Sequence, residues 1–243
     1  MSYVSSNFHR DLHQSEVFAD FLDKVFYRPM EQLIEEQSPE ALPVRFERVW
    51  DKASQMQGID IILHEGPWSI TIDEKVQQTY KGKLLDSFVL ELSYLKDGIP
   101  CAGWLVDPRK NTTAYLFCWP KGPADAPDVY TGALLALVYS DEIIAFLKSR
   151  GYTREVLCQR EQFIRENELR GRLDTNCPDF WFYFSPQLKE APVNVVIKAN
   201  RLKRIARAVI SVEVDDKAGI SHISGNWHQQ ELDVGVPVYK AAG

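Results

Sequence analysis

The residues best suited to chemistry in this sequence are two aspartates and a lysine that lie close together in the chain. Asp60 is separated by twelve residues from the triplet Asp73-Glu74-Lys75. Carboxylate oxygens are the ligands that Mg²⁺ and Mn²⁺ prefer. A cation held there can acidify a bound water and stabilise the charge developing on a phosphate, and a neighbouring lysine can position that water. The pattern therefore indicates metal-assisted hydrolysis of phosphodiester bonds.

A β-hairpin is the element that would bring these side chains together. We expect residues 58 to 76 to form two strands joined by a four-residue turn at 64 to 67. This register places Asp60 opposite Thr71 and diagonal to Asp73, with both aspartates and Lys75 on one face. An odd-numbered turn would put the aspartates on opposite faces and exclude the site. The other face is apolar apart from Glu74 and comprises Ile59, Ile61, Leu63, Trp68, Ile70, Ile72 and Val76.

The triplet by itself has little specificity. An acid followed two residues later by lysine occurs twice in the chain, and the second occurrence, Asp215-Asp216-Lys217, has no acidic hairpin partner before it. The hairpin register of Asp60 and the sorting of the two faces distinguish the first occurrence. The alternative is a solvated hairpin face on which Lys75 forms a surface ion pair with Asp60 or Asp73.

Other elements could supply further carboxylates. Helical spacing of apolar residues predicts a helix over residues 46 to 53, with Glu47 and Asp51 on a shared stripe. A strand over 88 to 95 carries Glu91, whose carboxylate could extend the site or neutralise Lys75, or could be exposed at a sheet edge. A further strand is expected over 113 to 119. Before all of these, a helix over 15 to 27 is expected to end at Pro29, and a second one to cover 30 to 37.

The hairpin resembles the bipartite motif of the PD-(D/E)XK nuclease superfamily, whose members share the restriction-endonuclease-like fold. The resemblance covers residues 44 to 120, and Ile59 stands where the proline of the family name would be. In that family the first acid opens one strand of a hairpin, the second acid and the lysine lie near the end of its partner, and a helix packs upstream.

Site roles follow from this resemblance rather than from spacing. It implies that Asp60 and Asp73 are ligands of Mg²⁺ or Mn²⁺, that the backbone carbonyl of Glu74 is a third ligand, and that Lys75 positions the attacking water. Glu47 or Asp51 would match the additional helix carboxylate of many members. In the superfamily manner, Gln77 and Gln78 could contact phosphate or base edges; the alternative is a polar loop or helix start.

A basic segment follows much later in the chain. Five basic residues fall within ten positions, around a helical apolar stripe, and acids are absent from this stretch. Such a helix could lie along a phosphate backbone without reading its sequence. The alternative is a solvated basic face. The five residues are Lys198, Arg201, Lys203, Arg204 and Arg207.

Composition excludes several classes of protein. With 45% hydrophobic and 26% charged residues the chain is typical of a globular protein, and a net charge of −6 disfavours a surface coated in nucleic acid but allows one basic groove. There is no apolar stretch long enough for a membrane span and no secretory signal pattern, so we expect a cytoplasmic protein. Four scattered cysteines indicate neither a disulfide framework nor a zinc cage.

Together these observations predict an α/β fold with a mixed β-sheet flanked by helices. Residues 1 to 120 would form a restriction-endonuclease-like core with N-terminal helices, and 121 to 243 an α+β extension that completes the fold. The expected function is Mg²⁺-dependent hydrolysis of DNA. RNA as a partner and a homodimer are left open. The alternative is a non-catalytic module that binds nucleic acid or protein on the same fold, and a hydrolase using the histidines is a third class.

Overall fold

The computed structural model describes residues 8–37, 42–77, 85–215 and 220–227. The helices in these ranges are α1 (Phe8–Leu22), α2 (Arg28–Gln37), α3 (Lys52–Met56), α4 (Ser140–Ser149), α5 (Arg154–Glu166) and α6 (Ala199–Ile205). A π-helical turn (Asp23–Tyr27) joins α1 to α2. The strands are β1 (Val44–Arg48), β2 (Ile61–Glu65), β3 (Trp68–Val76), β4 (Ser87–Lys96), β5 (Ile99–Ala102), β6 (Ala114–Lys121), β7 (Gly132–Tyr139), β8 (Gly171–Asp174), β9 (Phe180–Phe184), β10 (Val193–Lys198), β11 (Ala208–Asp215) and β12 (Ile220–Trp227).

The described strands form two sheets. One sheet has seven strands in the order β1-β2-β3-β6-β7-β11-β12, and the other has five in the order β5-β4-β10-β9-β8. In the seven-stranded sheet β3 runs parallel to β6, while the other neighbouring strands are antiparallel. The five-stranded sheet is antiparallel throughout. The predicted α/β class with a mixed sheet is therefore confirmed.

The chain divides into two compact units. The first contains the seven-stranded sheet with α1, the π-helical turn, α2 and α3. The second contains the five-stranded sheet with α4, α5 and most of α6. Its buried apolar residues come from α4, α5 and the aromatic strand β9, and include Ile143, Leu157, Ile164, Phe180 and Phe182. None of the helices that the structure describes is long and apolar enough to cross a membrane.

The core of the first unit lies between its N-terminal helices and one face of its sheet. Phe18, Leu22 and Phe26 belong to the same buried cluster as Ile61 and Ile72 of the hairpin strands. Full burial of one such side chain contributes about 1.5–3 kcal/mol. The apolar hairpin face predicted from alternation is thus the face that packs under the helices.

The N-terminal helices run on through Pro29 instead of ending there. Pro29 has no N–H to donate, and its ring would clash with a carbonyl in a regular helix. The π-helical turn just before it widens the spiral, so that the N–H of Arg28 reaches the carbonyl of Asp23. Such a turn accommodates the proline without breaking the helix axis. The predicted helix end at Pro29 is therefore wrong.

The predicted helix over residues 46 to 53 is also wrong. The chain there forms β1, which pairs with β2 at the edge of the seven-stranded sheet, and then the single short turn α3. The strands predicted over 88 to 95 and 113 to 119 are present as β4 and β6, but they belong to different sheets.

Candidate active site

The turn between β2 and β3 contains two residues, Gly66 and Pro67, rather than the predicted four. Glu65 pairs with Trp68, and the register continues to Ile61 opposite Ile72. Gly66 has φ +53°, a left-handed conformation that glycine adopts without steric cost. The predicted placement of Asp60 opposite Thr71 is corrected by this turn, since Thr71 pairs with Ile62. Because the turn is even-numbered, the faces keep their predicted sorting, and one more step of the register brings Asp60 beside Asp73.

Asp60 is fixed at the mouth of the hairpin by three hydrogen bonds. Its carbonyl accepts from the N–H of Val49 at 2.8 Å, and its own N–H donates to the carbonyl of Ile72 at 2.9 Å. Its Oδ2 accepts from the N–H of Glu74 at 2.8 Å. Burial, followed by the charges of Asp73 and Glu74, raises the pKa of Asp60 to about 7. The carboxylate is therefore held where negative charge is unfavourable.

Asp73 and Lys75 lie on one face of β3, and their charges act on Asp60, which comes just before β2. Asp73 is only 4% exposed, and the Nζ atom of Lys75 lies 2.7 Å from its Oδ2. The lysine side chain is 22% exposed, so its ammonium remains within reach of solvent. When ionised, the two carboxylates and one ammonium carry a net negative charge. An added cation would offset the negative charges that, after burial, raise the pKa of Asp60.

Glu74 points to the opposite, core-facing side of β3, where it belongs to a buried polar network. Its Oε1 accepts from the hydroxyl of Tyr27 at 2.6 Å, and its Oε2 lies 2.8 Å from Nη1 of Arg48. The guanidinium of Arg48 also donates to Asp23 at 2.8 Å. Burial disfavours the charged guanidinium, but Glu74 and Asp23 outweigh it and raise the pKa of Arg48 above its usual value. The one polar residue of the apolar face is thus fully paired.

This network fixes the end of β3 that carries the site. Arg48 connects the end of β1 to Glu74 of β3 and to Asp23 of the π-helical turn. Burial, with the neighbouring Glu74 carboxylate, raises the pKa of Tyr27, so its hydroxyl remains a donor. The contribution of Arg48 and Tyr27 was missed by the sequence reasoning. One feature of the sequence could have indicated this pair: Arg48 and Glu74 carry opposite charges, and both occupy strand positions where alternation favours apolar residues.

Glu47 and Asp51 were predicted to share one helix, but they lie on different elements. Glu47 lies on β1 with an exposed side chain whose Oε2 is 3.2 Å from Nε2 of His64. Asp51 is the N-cap of α3 and accepts from the N–H of Ser54 at 2.9 Å, a bond that lowers its pKa. Glu91 lies on β4 and pairs with Asn194 in the other sheet. The predicted helical stripe of Glu47 and Asp51 is therefore wrong.

The predicted nucleic-acid contacts are distributed over several elements. Gln77 follows β3 and donates its N–H to the carbonyl of Cys118 at 3.0 Å, while Gln78 lies outside the described residues. The basic segment includes the seven-residue α6. Lys198 ends β10, Lys203 and Arg204 lie on α6, and Arg207 follows it and donates its N–H to Leu137. Arg201 forms an ion pair with Asp179, which neutralises part of the basic face.

The candidate ligand atoms are all oxygens, which is the donor type that small, hard cations such as Mg²⁺ prefer. Asp60, just before β2, lies close enough to Asp73 of β3 for the Asp73 charge to raise its pKa, in addition to the larger effect of burial. The backbone carbonyl of Glu74 lies between Asp73 and Lys75 in the chain. Over the described residues, no three histidine, cysteine or acidic side chains form a cluster that could hold a metal by themselves. A cation at Asp60 and Asp73 would consequently keep several water ligands, as Mg²⁺ usually does.

Comparison of the chain with protein-family models, curated sequences and solved structures gave no match.

Proposed function

We propose that this protein hydrolyses DNA phosphodiester bonds with the help of Mg²⁺ or Mn²⁺ at Asp60, Asp73 and Lys75. One observation carries the proposal. The partly buried Asp60, the buried Asp73 and the ammonium of Lys75 lie together at the mouth of the hairpin. The pKa of Asp60 is raised first by burial and then by the charge of Asp73. Carboxylates shifted in this way are costly to maintain and occur at functional sites.

The finer assignment of a restriction-endonuclease-like core belongs to the same proposal. It is supported by the order of elements, in which the short helix α3 precedes the hairpin, and by the mixed sheet that contains β3. In this proposal, Asp60 and Asp73 would correspond to the metal ligands of the superfamily motif, and Lys75 to its lysine.

Each residue has a defined part in this mechanism. Asp60 and Asp73 would hold the cation, with the carbonyl of Glu74 as a third oxygen. The bound cation would supply an acidified water and stabilise the charge on the phosphate oxygens. Lys75 would orient that water from its place beside Asp73 and stabilise the anionic transition state. The buried ion pair of Arg48 and Glu74 keeps the supporting strand ends in place.

Plasmid cleavage tests the proposal. Purified protein should nick or linearise plasmid DNA with Mg²⁺ or Mn²⁺, and the reaction should stop when the metal is chelated. Lys75→Ala should abolish cleavage. Lys121→Ala is the matched control, because Lys121 also lies 2.7 Å from an acid, Glu213, on the same sheet. Cleavage that survives Lys75→Ala or chelation would overturn the mechanism.

A non-catalytic module that binds nucleic acid or protein is the second candidate. It is favoured by the direct 2.7 Å contact between Lys75 and Asp73, which already neutralises one acid without a metal. The two candidates differ in their response to Mg²⁺. A metal site should raise the melting temperature in a manner that depends on Asp60 and Asp73, whereas a scaffold should show no such dependence.

A further inference from the structure

A cavity of about 780 Å³ lies in the second unit, where the junction of α4 and α5 meets the loop that joins β8 to β9. Its lining residues fall between 150 and 160 and between 174 and 179, so the cavity belongs to this unit alone. Exposed lining residues such as Asn176 leave its entrance open to solvent. Cavities of this volume hold small organic molecules, and a single phosphate ion would fill only a fraction of it.

Two arginines line the cavity, and the residues that the structure describes leave both without an acidic partner. Arg150 follows α4 and is exposed, and Arg160 lies on α5. Neither forms an ion pair with a described carboxylate. The guanidinium carbon of Arg160 instead lies 5.3 Å from the ring centre of Phe163 and 5.8 Å from that of Phe182. Aromatic rings at this range orient a guanidinium without cancelling its charge.

The two acids of the lining are each paired with an arginine. Asp174 accepts from Nε of Arg172 at 2.6 Å, and Asp179 accepts from Nε of Arg201 at 2.8 Å. Once these two pairs are counted as neutral, the charges of the two lining arginines remain. The cavity therefore presents positive charge within a chain whose net charge is −6, which favours an anionic ligand.

Hydrogen bonds and ring contacts hold the frame of the cavity in place. After the turn at Gly151, the N–H of Tyr152 donates to the carbonyl of Leu147 at 3.0 Å. In the loop between β8 and β9, the hydroxyl of Thr175 donates to the carbonyl of Phe180 at 2.7 Å. The rings of Tyr152 and Phe180 also meet edge to face, with their centres 5.2 Å apart. A frame that is set before the ligand arrives lowers the entropy that binding must overcome.

We propose that this cavity binds a nucleoside phosphate, with the phosphate group held by Arg150 and Arg160. A guanidinium presents parallel N–H donors whose geometry matches two phosphate oxygens. The neutral part of the lining suits a nucleobase. Tyr152 contributes an aromatic side chain on which a base can stack, and Asn176 contributes an amide that can donate to and accept from base edges. This inference goes beyond the proposed hydrolysis of DNA and is independent of it.

Isothermal titration calorimetry of the full chain in EDTA tests the inference. The ligands are 5′-AMP, 5′-UMP, the two corresponding nucleosides and inorganic phosphate. At least one nucleotide should bind more tightly than both its nucleoside and inorganic phosphate, because only the nucleotide supplies both parts that the lining recognises. Absence of binding by both nucleotides at millimolar concentration would overturn the inference. Equal binding of the nucleosides, or of inorganic phosphate, would overturn it as well.

Substitutions of opposite charge in the lining should have opposite effects on the affinity for the nucleotide. Arg150→Gln and Arg160→Gln should each weaken binding by about tenfold to a hundredfold. Asp174→Asn should tighten binding severalfold, because it removes a negative charge from the lining and releases Arg172. A merely structural role for these side chains would not reverse the sign of the effect in this way.

Arg170→Gln is the matched control. Arg170 lies in the same unit, its side chain is 64% exposed, and it is not one of the lining residues. Its substitution should leave the affinity unchanged. Because Arg150 is exposed, Arg150→Gln should fold normally, and it carries the test even if Arg160→Gln does not fold. Unaltered binding by Arg150→Gln, or an equal loss from Arg170→Gln, would refute the assignment.

The outcome for the proposed function is read separately. Lys75→Ala should bind the nucleotide as tightly as the wild type, and a loss of binding in this variant would place the nucleotide at the hairpin and overturn the inference. If nucleotides bind as expected but DNA is never cut, the inference stands without the nuclease activity. If DNA is cut in a manner that depends on Lys75 while no nucleotide binds in EDTA, the nuclease proposal stands and the inference is refuted.

Discussion

Asp60→Asn should stabilise the protein at neutral and alkaline pH. The folded state raises the pKa of Asp60 from 3.8 to about 7. Between these two values the folded chain retains a proton that the unfolded chain has released, so the free energy of unfolding falls as the pH rises. Above pH 7 both states have released the proton, and the free energy of unfolding has fallen by about 4 kcal/mol in total. Asparagine has a similar shape, and its amide oxygen can still accept from the N–H of Glu74 without the buried charge.

Urea denaturation in EDTA, repeated at intervals from pH 4 to pH 8, measures this effect. The wild-type protein should lose stability across the range, whereas Asp60→Asn should show a much smaller slope. The two should converge near pH 4 and differ by up to about 4 kcal/mol at pH 8. Asp51→Asn is the control, because Asp51 is exposed and its pKa is lowered rather than raised. Its slope between pH 5 and 8 should match that of the wild type.

Two results would refute the reasoning about Asp60. One is a wild-type stability that stays level or rises from pH 5 to pH 8. The other is an Asp60→Asn variant that is less stable than wild type at pH 8. Either result would mean that the carboxylate is stabilised by its hydrogen bond more than it is opposed by burial and by Asp73.

Three further perturbations follow from the same structure. Arg48→Met should cost about 3–5 kcal/mol in urea denaturation because it leaves Glu74 buried and unpaired, and adding Glu74→Leu should recover most of that loss; no recovery would contradict the paired-charge account. Gly66→Ala should lower stability by about 1–2 kcal/mol because an L-residue is strained at φ +53°; an unchanged midpoint would show that the turn relaxes. Mg²⁺ should raise the melting temperature of the wild type at pH 8 more than that of Asp60→Asn, and equal shifts would locate the cation elsewhere.

The faces of the hairpin could be predicted from the sequence because alternation depends only on whether the turn is odd or even. Moving from a four-residue to a two-residue turn preserves that parity, so Asp60 and Asp73 share a face in both versions. Which residue lies opposite Asp60 could not be predicted, because it depends on the turn itself. Gly66-Pro67 is compatible with more than one turn length, and the strand pairing favours the shorter one.

The error at residues 46 to 53 has a specific physical cause. In β1, Phe46 and Arg48 face inward while Arg45 and Glu47 face outward. A buried arginine conceals the period of two, and the apolar residues that remain happen to fit a helical period. Arg48 is tolerated inside because Asp23 and Glu74 neutralise it, and Glu74 lies on a strand 26 residues later. A pattern confined to neighbouring residues cannot detect a partner at that separation.

The division of strands between the two sheets could not be predicted for a related reason. Strand β4 follows β3 in the chain, yet it joins the five-stranded sheet, and β6 takes the place beside β3. Local propensity identifies β4 and β6 as strands with equal strength. The choice of neighbour is made by long-range pairing and core packing, which single-sequence patterns do not record.

The parallel pairing of β3 with β6 has a consequence for the order in which the protein can be built. Asp73 lies opposite Tyr115 in that pair, and the chain between the two strands contributes β4 and β5 to the other sheet. A growing chain on the ribosome therefore carries all the acids of the hairpin well before it has synthesised the strand that flanks them. Strands β11 and β12, which complete the sheet beyond β7, are synthesised later still. We expect the acid pair to acquire its buried setting late in synthesis, when these distant strands have docked.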